Sequence, residues 1–222
     1  MTVAELIARY RSDAFDSVAP FALSDAEVIA LLNEAVSEAA IRGRLIHESS
    51  ASMCRITVTA GKSVYPINAA LYELTHTAFR EEGQKREPVT LASEEWLDQN
   101  VRDWRDEKGR PAYAVQSDRT LRLIPEPDRN GELLLEGYRL PIITLEAEDL
   151  DAVPEINPSH HRYLVYWVLH RGFSIPDAER FDPSRAVEAE REFTRYFGAR
   201  PDSDLRRVTR EDVEHHVTPY WV

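Results

Sequence analysis

The hydrophobic pattern of this chain changes period twice, and those two changes restrict the fold more than any other feature. Near the start, Val3, Leu6, Ile7 and Tyr10 fall at i, i+3, i+4 and i+7, one face of a short helix. Thr2 and Glu5 ahead of them have the spacing of a capping box. Ser24 and Glu27 repeat that spacing. Val28, Leu31, Leu32, Ala35 and Ala39 behind them predict a longer helix to about Leu45. Past residue 50 the period falls to two, and the helical period returns only after residue 158. Neither set of helices alone can bury its apolar face, so the two sets are expected to pack on each other. The pattern predicts an α+β chain: a helical bundle from N- and C-terminal helices with an inserted small antiparallel β domain. The expected divisions are 1–50 for the N-terminal helices, 51–157 for the β-rich insertion, 158–198 for the C-terminal helices and 199–222 for an extended tail.

Inside the insertion, Ile56 and Val58 alternate with Arg55, Thr57 and Thr59. Ala60-Gly61 reads as a tight turn, and 63–67 as the returning strand of a hairpin. Residues 71–79 fit either a strand or a short helix, with the extended reading favoured through 74–78. Residues 81–87 read as a charged loop and 89–91 as a short strand. Ser93 is placed to cap a short helix over 94–100, whose Glu94 and Glu95 suit its positive end. Residues 113–116, 120–124 and 132–139 read as three antiparallel strands, with turns at 117–119 and 128–131. Residues 140–158 form an acidic, proline-bearing linker back to the helices. The segment 160–172 is apolar on most sides, through Tyr163, Leu164, Val165, Trp167, Val168 and Leu169, and is expected at the centre. Asp182 caps the last helix, Pro183 takes its first position and Gly198 ends it. Its buried face is expected to be Ala186, Ala189, Phe193 and Tyr196 or Phe197.

Charge and cysteine usage narrow the function classes. The 222 residues carry a formal net charge of −12, and affinity for phosphate backbones comes from Lys and Arg displacing counterions. An acidic chain of this kind stands beside DNA and repels it. Cys54 is the only cysteine, which excludes an intrachain disulfide and a cysteine metal cluster and agrees with a reducing cytoplasm. The start of the chain has no basic region followed by an apolar run, so no signal peptide is expected. No apolar stretch approaches the roughly 20 residues a membrane span needs.

No catalytic or metal site is expected. The eight glycines fall mostly at predicted turns, no Gly-rich loop precedes a helix, and no serine sits in a nucleophile-elbow context. His160 and His161 point about 100° apart on a helix, and His170 lies too far along to join them. His215 and His216 have Glu211, Asp212 and Glu214 nearby, but a polar tail explains them without a metal. Glu94-Glu95 and the run Glu146, Glu148, Asp149, Asp151 are read as solvated acids. Trp96 and Trp104 are read as a packed lid over the β part rather than a carbohydrate platform. No cofactor is expected. The tail carries the stronger signal. Arg206, Arg207 and Arg210 alternate with acids, and Tyr220 and Trp221 have no local core to enter, which suits interface anchors.

Several short motifs, in order, carry a resemblance. They are Pro20-Phe21, the capped stretch from Ser24 to Ala35, the run Ile56-Thr57-Val58-Thr59-Ala60-Gly61 ending at Tyr65, and Trp104 with Gly109-Arg110-Pro111. Residues 121–128, Tyr138-Arg139-Leu140-Pro141, Pro154-Glu155-Ile156 ahead of His161, and 193–198 follow. Over most of residues 1–198 the chain resembles the head-to-tail adaptor (connector) proteins of tailed bacteriophages, especially podovirus-type adaptors of the tail tubular protein A group. The resemblance implies a structural virion protein, not an enzyme. It implies a ring, usually dodecameric, assembled in the host cytoplasm. That ring binds the portal protein on one side and the tail nozzle or next tail component on the other, with DNA passing through the lumen and no membrane contact. Arg206, Arg207, Arg210, Tyr220 and Trp221 are then expected at a portal or inter-subunit interface, and Arg185, Arg191 and Arg195 against a neighbouring subunit. A glycan-degrading or lytic virion enzyme using acids near Trp96 or Trp104 is the alternative from another class. A head- or tail-completion protein with a different ring order is a third reading.

Overall fold

The computed structural model describes residues 1–176 and 181–201. In chain order the elements are α1 (Val3–Ala14), α2 (Asp25–Gly43), β1 (His47–Glu48), β2 (Arg55–Val58), β3 (Val64–Pro66), β4 (Leu71–Arg80), β5 (Glu87–Leu91) and α3 (Glu94–Asn100). They continue with β6 (Lys108–Gly109), β7 (Tyr113–Gln116), β8 (Thr120–Ile124), β9 (Glu126–Pro127), β10 (Gly131–Arg139), α4 (His161–Ser174) and α5 (Pro183–Phe197). The chain is thus α+β. Both capping boxes form: Thr2 and Ser24 accept from the N–H groups of Glu5 and Glu27, whose carboxylates accept in return from the cap backbone. Ser93 caps α3 by accepting from the N–H of Trp96 at 3.1 Å.

The chain divides into two compact units. One comprises Met1–Ile46 and Arg139–Arg200, and the other is built on His47–Tyr138. In the first, α4 packs on α1, α2 and α5. Its buried Leu164, Val165, Val168 and Phe173 explain why a helix so apolar on most sides is stable only in a central place. α5 turns Ala186, Ala189, Phe193 and Phe197 inward. Tyr196 lies at the edge and stacks on Tyr163, ring centroids 3.4 Å apart.

Residues 140–157 are fastened along this helical unit rather than left loose. Asn33 donates to the carbonyl of Leu145 at 2.9 Å and accepts from its N–H at 2.8 Å. The carbonyls of Ala152 and Leu150 accept from the N–H groups of Val3 and Ala4, donors that α1 itself leaves unpaired. Glu155 pairs with Arg139 and accepts from the N–H of Ile142 at 2.8 Å. Burial works to raise the Glu155 carboxyl. The Arg139 guanidinium and the N–H groups of Ile142 and Ile143 outweigh it and hold the group below the usual carboxylate range.

In the second unit the main sheet runs β1-β10-β4-β5-β7-β8-β3, with β2 also on β10. Two expected pairings are corrected. The turn after β2 forms: Lys62 donates to the Thr59 carbonyl at 3.2 Å and Gly61 takes φ +79°, the conformation that favours glycine. The Tyr65 hydroxyl accepts from the N–H of Thr59 and donates to the Lys62 carbonyl. Yet β2 pairs with β10, Val58 opposite Gly131, and β3 pairs with β8, Val64 opposite Arg122. A turn dictates reversal, not partner. A hairpin of such short strands is marginal by itself, and longer strands supply better partners.

Likewise β7 and β8 pair antiparallel, but β10 does not continue the meander from β8. Nor is the sheet purely antiparallel. β5 and β7 are parallel, as are β6 and β9, because α3 fills the connection between β5 and β7 and makes it long enough for a crossover. Val58 and Val64 are six residues apart, a reach of at most roughly 22 Å. Six strand gaps laid flat would separate β2 from β3 by roughly 29 Å. The sheet therefore curls, with Leu71, Leu74, Phe79, Leu121, Leu123 and Leu133 in its core. Gly131 and Gly137 let β10 lie against β4, where a Cβ would strike the backbone of Arg80 or Glu73.

Candidate interaction surface

α1 ends on Phe15, which takes the left-handed conformation at φ 59° and ψ 34°. Glycine or asparagine usually holds this position, because a Cβ crowds the neighbouring carbonyl. Here it is phenylalanine, and 86% of it is exposed. The connector that follows is built around Arg11, which is buried. Its guanidinium donates to Asp16 and the Leu23 carbonyl at 3.0 Å each, pairs with Asp25, and lies 3.6 Å from the Phe21 ring centroid. Asp16 in turn accepts from the N–H of Ala22 at 2.9 Å. This clamp holds Val18, 79% exposed, and Phe21 outward.

α4 ends and α5 begins at the same end of the unit. Asp182 donates from its backbone to the Phe173 carbonyl at 3.2 Å, and Arg185 donates to the Asp13 carbonyl at 2.9 Å. Ile175 and Phe181 are exposed there as well. The connector end thus gathers five exposed large apolar residues on a hydrogen-bonded frame. Soluble chains seldom expose such a group without a partner.

The arginines expected at a neighbour contact do not form one cluster. Arg185 is turned in, 4.0 Å from the Phe173 ring and 5.3 Å from that of Phe15. Arg191 and Arg195 are exposed on the outward face of α5, Arg195 paired with Glu192. Near them Tyr163 and Tyr196 stack, and Arg162 lies 5.0 Å from the Tyr163 ring. His160 contacts the Tyr196 hydroxyl at 3.2 Å. Burial, with His161 beside it, lowers the His160 pKa. The end of α5 is anchored to α2: Arg42 donates to the Thr194 hydroxyl at 2.7 Å and pairs with Glu38, which also meets Arg200 at 3.3 Å. Arg206, Arg207, Arg210, Tyr220 and Trp221 lie outside the described residues, as do His215 and His216.

The groups considered for catalysis are used otherwise. Trp104 is buried and donates from Nε1 to Asp98 at 2.9 Å, and Arg105 pairs with the same carboxylate. Those bonds, Arg105 first, hold the Asp98 carboxyl below its ordinary value. Trp96 lies half-open against Tyr113 with ring centroids 5.5 Å apart. His161 shares a hydrogen bond with the Ile156 carbonyl and His170 with that of Ala186. Among the described residues no group of three His, Cys, Asp or Glu is placed to hold a metal ion. A cavity of about 600 Å³ lies against β2, β10 and the loop after β4, but its Arg80 and Glu132 already pair.

The sequence pattern places nothing on Phe15 or Val18, and Phe21 enters it only beside Pro20 as part of the resemblance. The available signal was three large apolar residues in a segment with no period to bury them. Compared with known protein families, the chain matches the model described as SU10 adaptor protein over residues 1–214. No curated protein matches it significantly.

Proposed function

The chain belongs to the SU10 adaptor protein family, structural components of phage virions, and from that premise we propose that it forms a ring between the portal and the tail. In this reading DNA passes through the lumen without specific binding. A charge of −12 on every copy keeps packaged DNA from adhering to the wall, because like charge leaves no ion pairs to break during ejection. The helices from both ends of the chain act as one bundle that carries the β part as an insertion. One side meets the portal protein and the other the next tail component. The tail, through Arg206, Arg207, Arg210, Tyr220 and Trp221, docks on the portal or an adjacent copy. A dodecamer is the stoichiometry proposed, with assembly in the host cytoplasm.

The observation that carries this reading beyond family membership is the connector end of the helical unit. Phe15, Val18, Phe21 and Phe181 stand exposed on a frame that Arg11 and Arg185 hold in place. Such a surface suits protein contact. The test is native mass spectrometry of the full chain, alone and mixed with the portal protein of the same virus. A closed oligomer, free or portal-dependent, supports the ring. A monomer that ignores the portal overturns it.

A further inference from the structure

A ring needs two different faces on each copy, because only a heterologous contact closes by rotation. Resting on the ring reading above, we infer that neighbouring copies meet through the connector end of one and the outward face of α5 of the next. The first face is Phe15, Val18, Phe21 and Phe181. The second is Arg191, Arg195 and Tyr196 in the last two turns of α5, with Arg162 at the start of α4.

Three observations lead there. The first is Phe15. A helix stop that favours glycine is occupied by an exposed phenylalanine, so the fold of the single copy gains little from that side chain beyond the Arg185 guanidinium 5.3 Å from its ring. The second is charge. Among the described residues the connector end carries the carboxylates Asp13, Asp16, Asp25, Glu27 and Asp182. Arg9, Arg11 and Arg185 answer them, leaving an excess of two negative charges. On the α5 face, Arg162, Arg191 and Arg195 stand against Glu188 and Glu192, an excess of one positive charge, while Arg200 is taken up by Glu38. The third is composition and place. The α5 face sets the exposed Tyr196 among arginines, residue types that serve as interface anchors. The stacked tyrosines lie at the far end of α5, roughly 20 Å from its start. A copy therefore cannot lay its own connector end over them, whereas a second copy can.

Two variants of the full chain separate the faces. Phe15→Gly removes the apolar anchor and relieves the left-handed residue, so its thermal midpoint should match or exceed that of wild type. R191E/R195E alters two exposed side chains on the second face. Native mass spectrometry is run on wild type, each variant and their equimolar mixture, with and without the portal protein. Wild type should give a closed oligomer, and each variant alone should lose every species above monomer. The mixture should give a one-to-one pair and nothing larger, because only one intact contact remains in it. A variant that assembles like wild type, a mixture that stays monomeric, or a homodimer of R191E/R195E would overturn this pairing of faces while leaving the ring in place. A wild-type chain that stays monomeric in both conditions would overturn the ring itself, and the pairing with it.

Discussion

In the helical unit, polar side chains grip nearby backbone. Ser24 caps α2, Arg11 closes the α1–α2 connector, and Asn33 and Glu155 fasten residues 140–157. In the sheet unit, strands find partners far along the chain, as when β2 joins β10 and β3 joins β8. The first kind of order is modular: each grip contributes its own share and can be removed singly. The second depends on register, so one intruding atom disturbs the strands on both sides. Substitutions should therefore act on the two units in different ways.

The largest effect is expected from Phe193→Ala. Phe193 is fully buried and packs on Trp167 with ring centroids 5.0 Å apart, so its loss should cost about 3–5 kcal/mol. Hydrogen exchange should show loss of protection in α4 and α5, with the sheet strands unchanged. Equal loss in both units would break the distinction drawn here.

Glu155→Gln comes next, because it removes a carboxylate that pairs with the buried Arg139 and accepts from the N–H of Ile142, at roughly 2–3 kcal/mol. The wild-type carboxyl is held below its unfolded value. Its contribution is therefore complete above the unfolded pKa and is lost as pH falls through the folded one. Denaturation at neutral pH should show the full gap between wild type and variant, and the gap should narrow as pH drops below the carboxylate range. A gap independent of pH would mean that the clamp is not electrostatic.

In the sheet, Gly137→Ala should cost about 1–3 kcal/mol, since its Cβ would meet the backbone of Glu73 and Leu74. Exchange should rise along β10 and β4 together, the mark of a register effect. The smallest effect belongs to Ser24→Ala, about 1 kcal/mol, read as a lower thermal midpoint with fraying confined to the start of α2.

The helices were legible in the sequence because their signals are local. Thr2 with Glu5, Ser24 with Glu27, Asp182 with Pro183 and the apolar stripe of α5 all act within a turn or two. The structure places each of them as the spacing predicts. The strands were legible as strands but not as neighbours. Ala60-Gly61 says that the chain reverses and does not say which edge it meets afterwards. The candidate surface was hardest to see. Arg185 looked like Arg191 and Arg195 on paper, but it turned inward onto Phe173, whereas the other two stayed outside. Phe15 carries no periodic signal at all, and only its backbone angles and exposure mark it.

By itself the sequence determined the helix limits, the turns after β2 and β7, the acidic charge and the resemblance to phage adaptors. These rest on contacts between residues close in the chain or on composition, where the partner is fixed by spacing. Tertiary structure alone decided that β2 and β3 part company, that β5 and β7 run parallel, and that the phenylalanines of two separate connectors share one end of the helical unit. Those outcomes depend on which distant surfaces bury the most apolar area with their backbone groups paired, and a choice among distant partners leaves no local mark on the residues that make it.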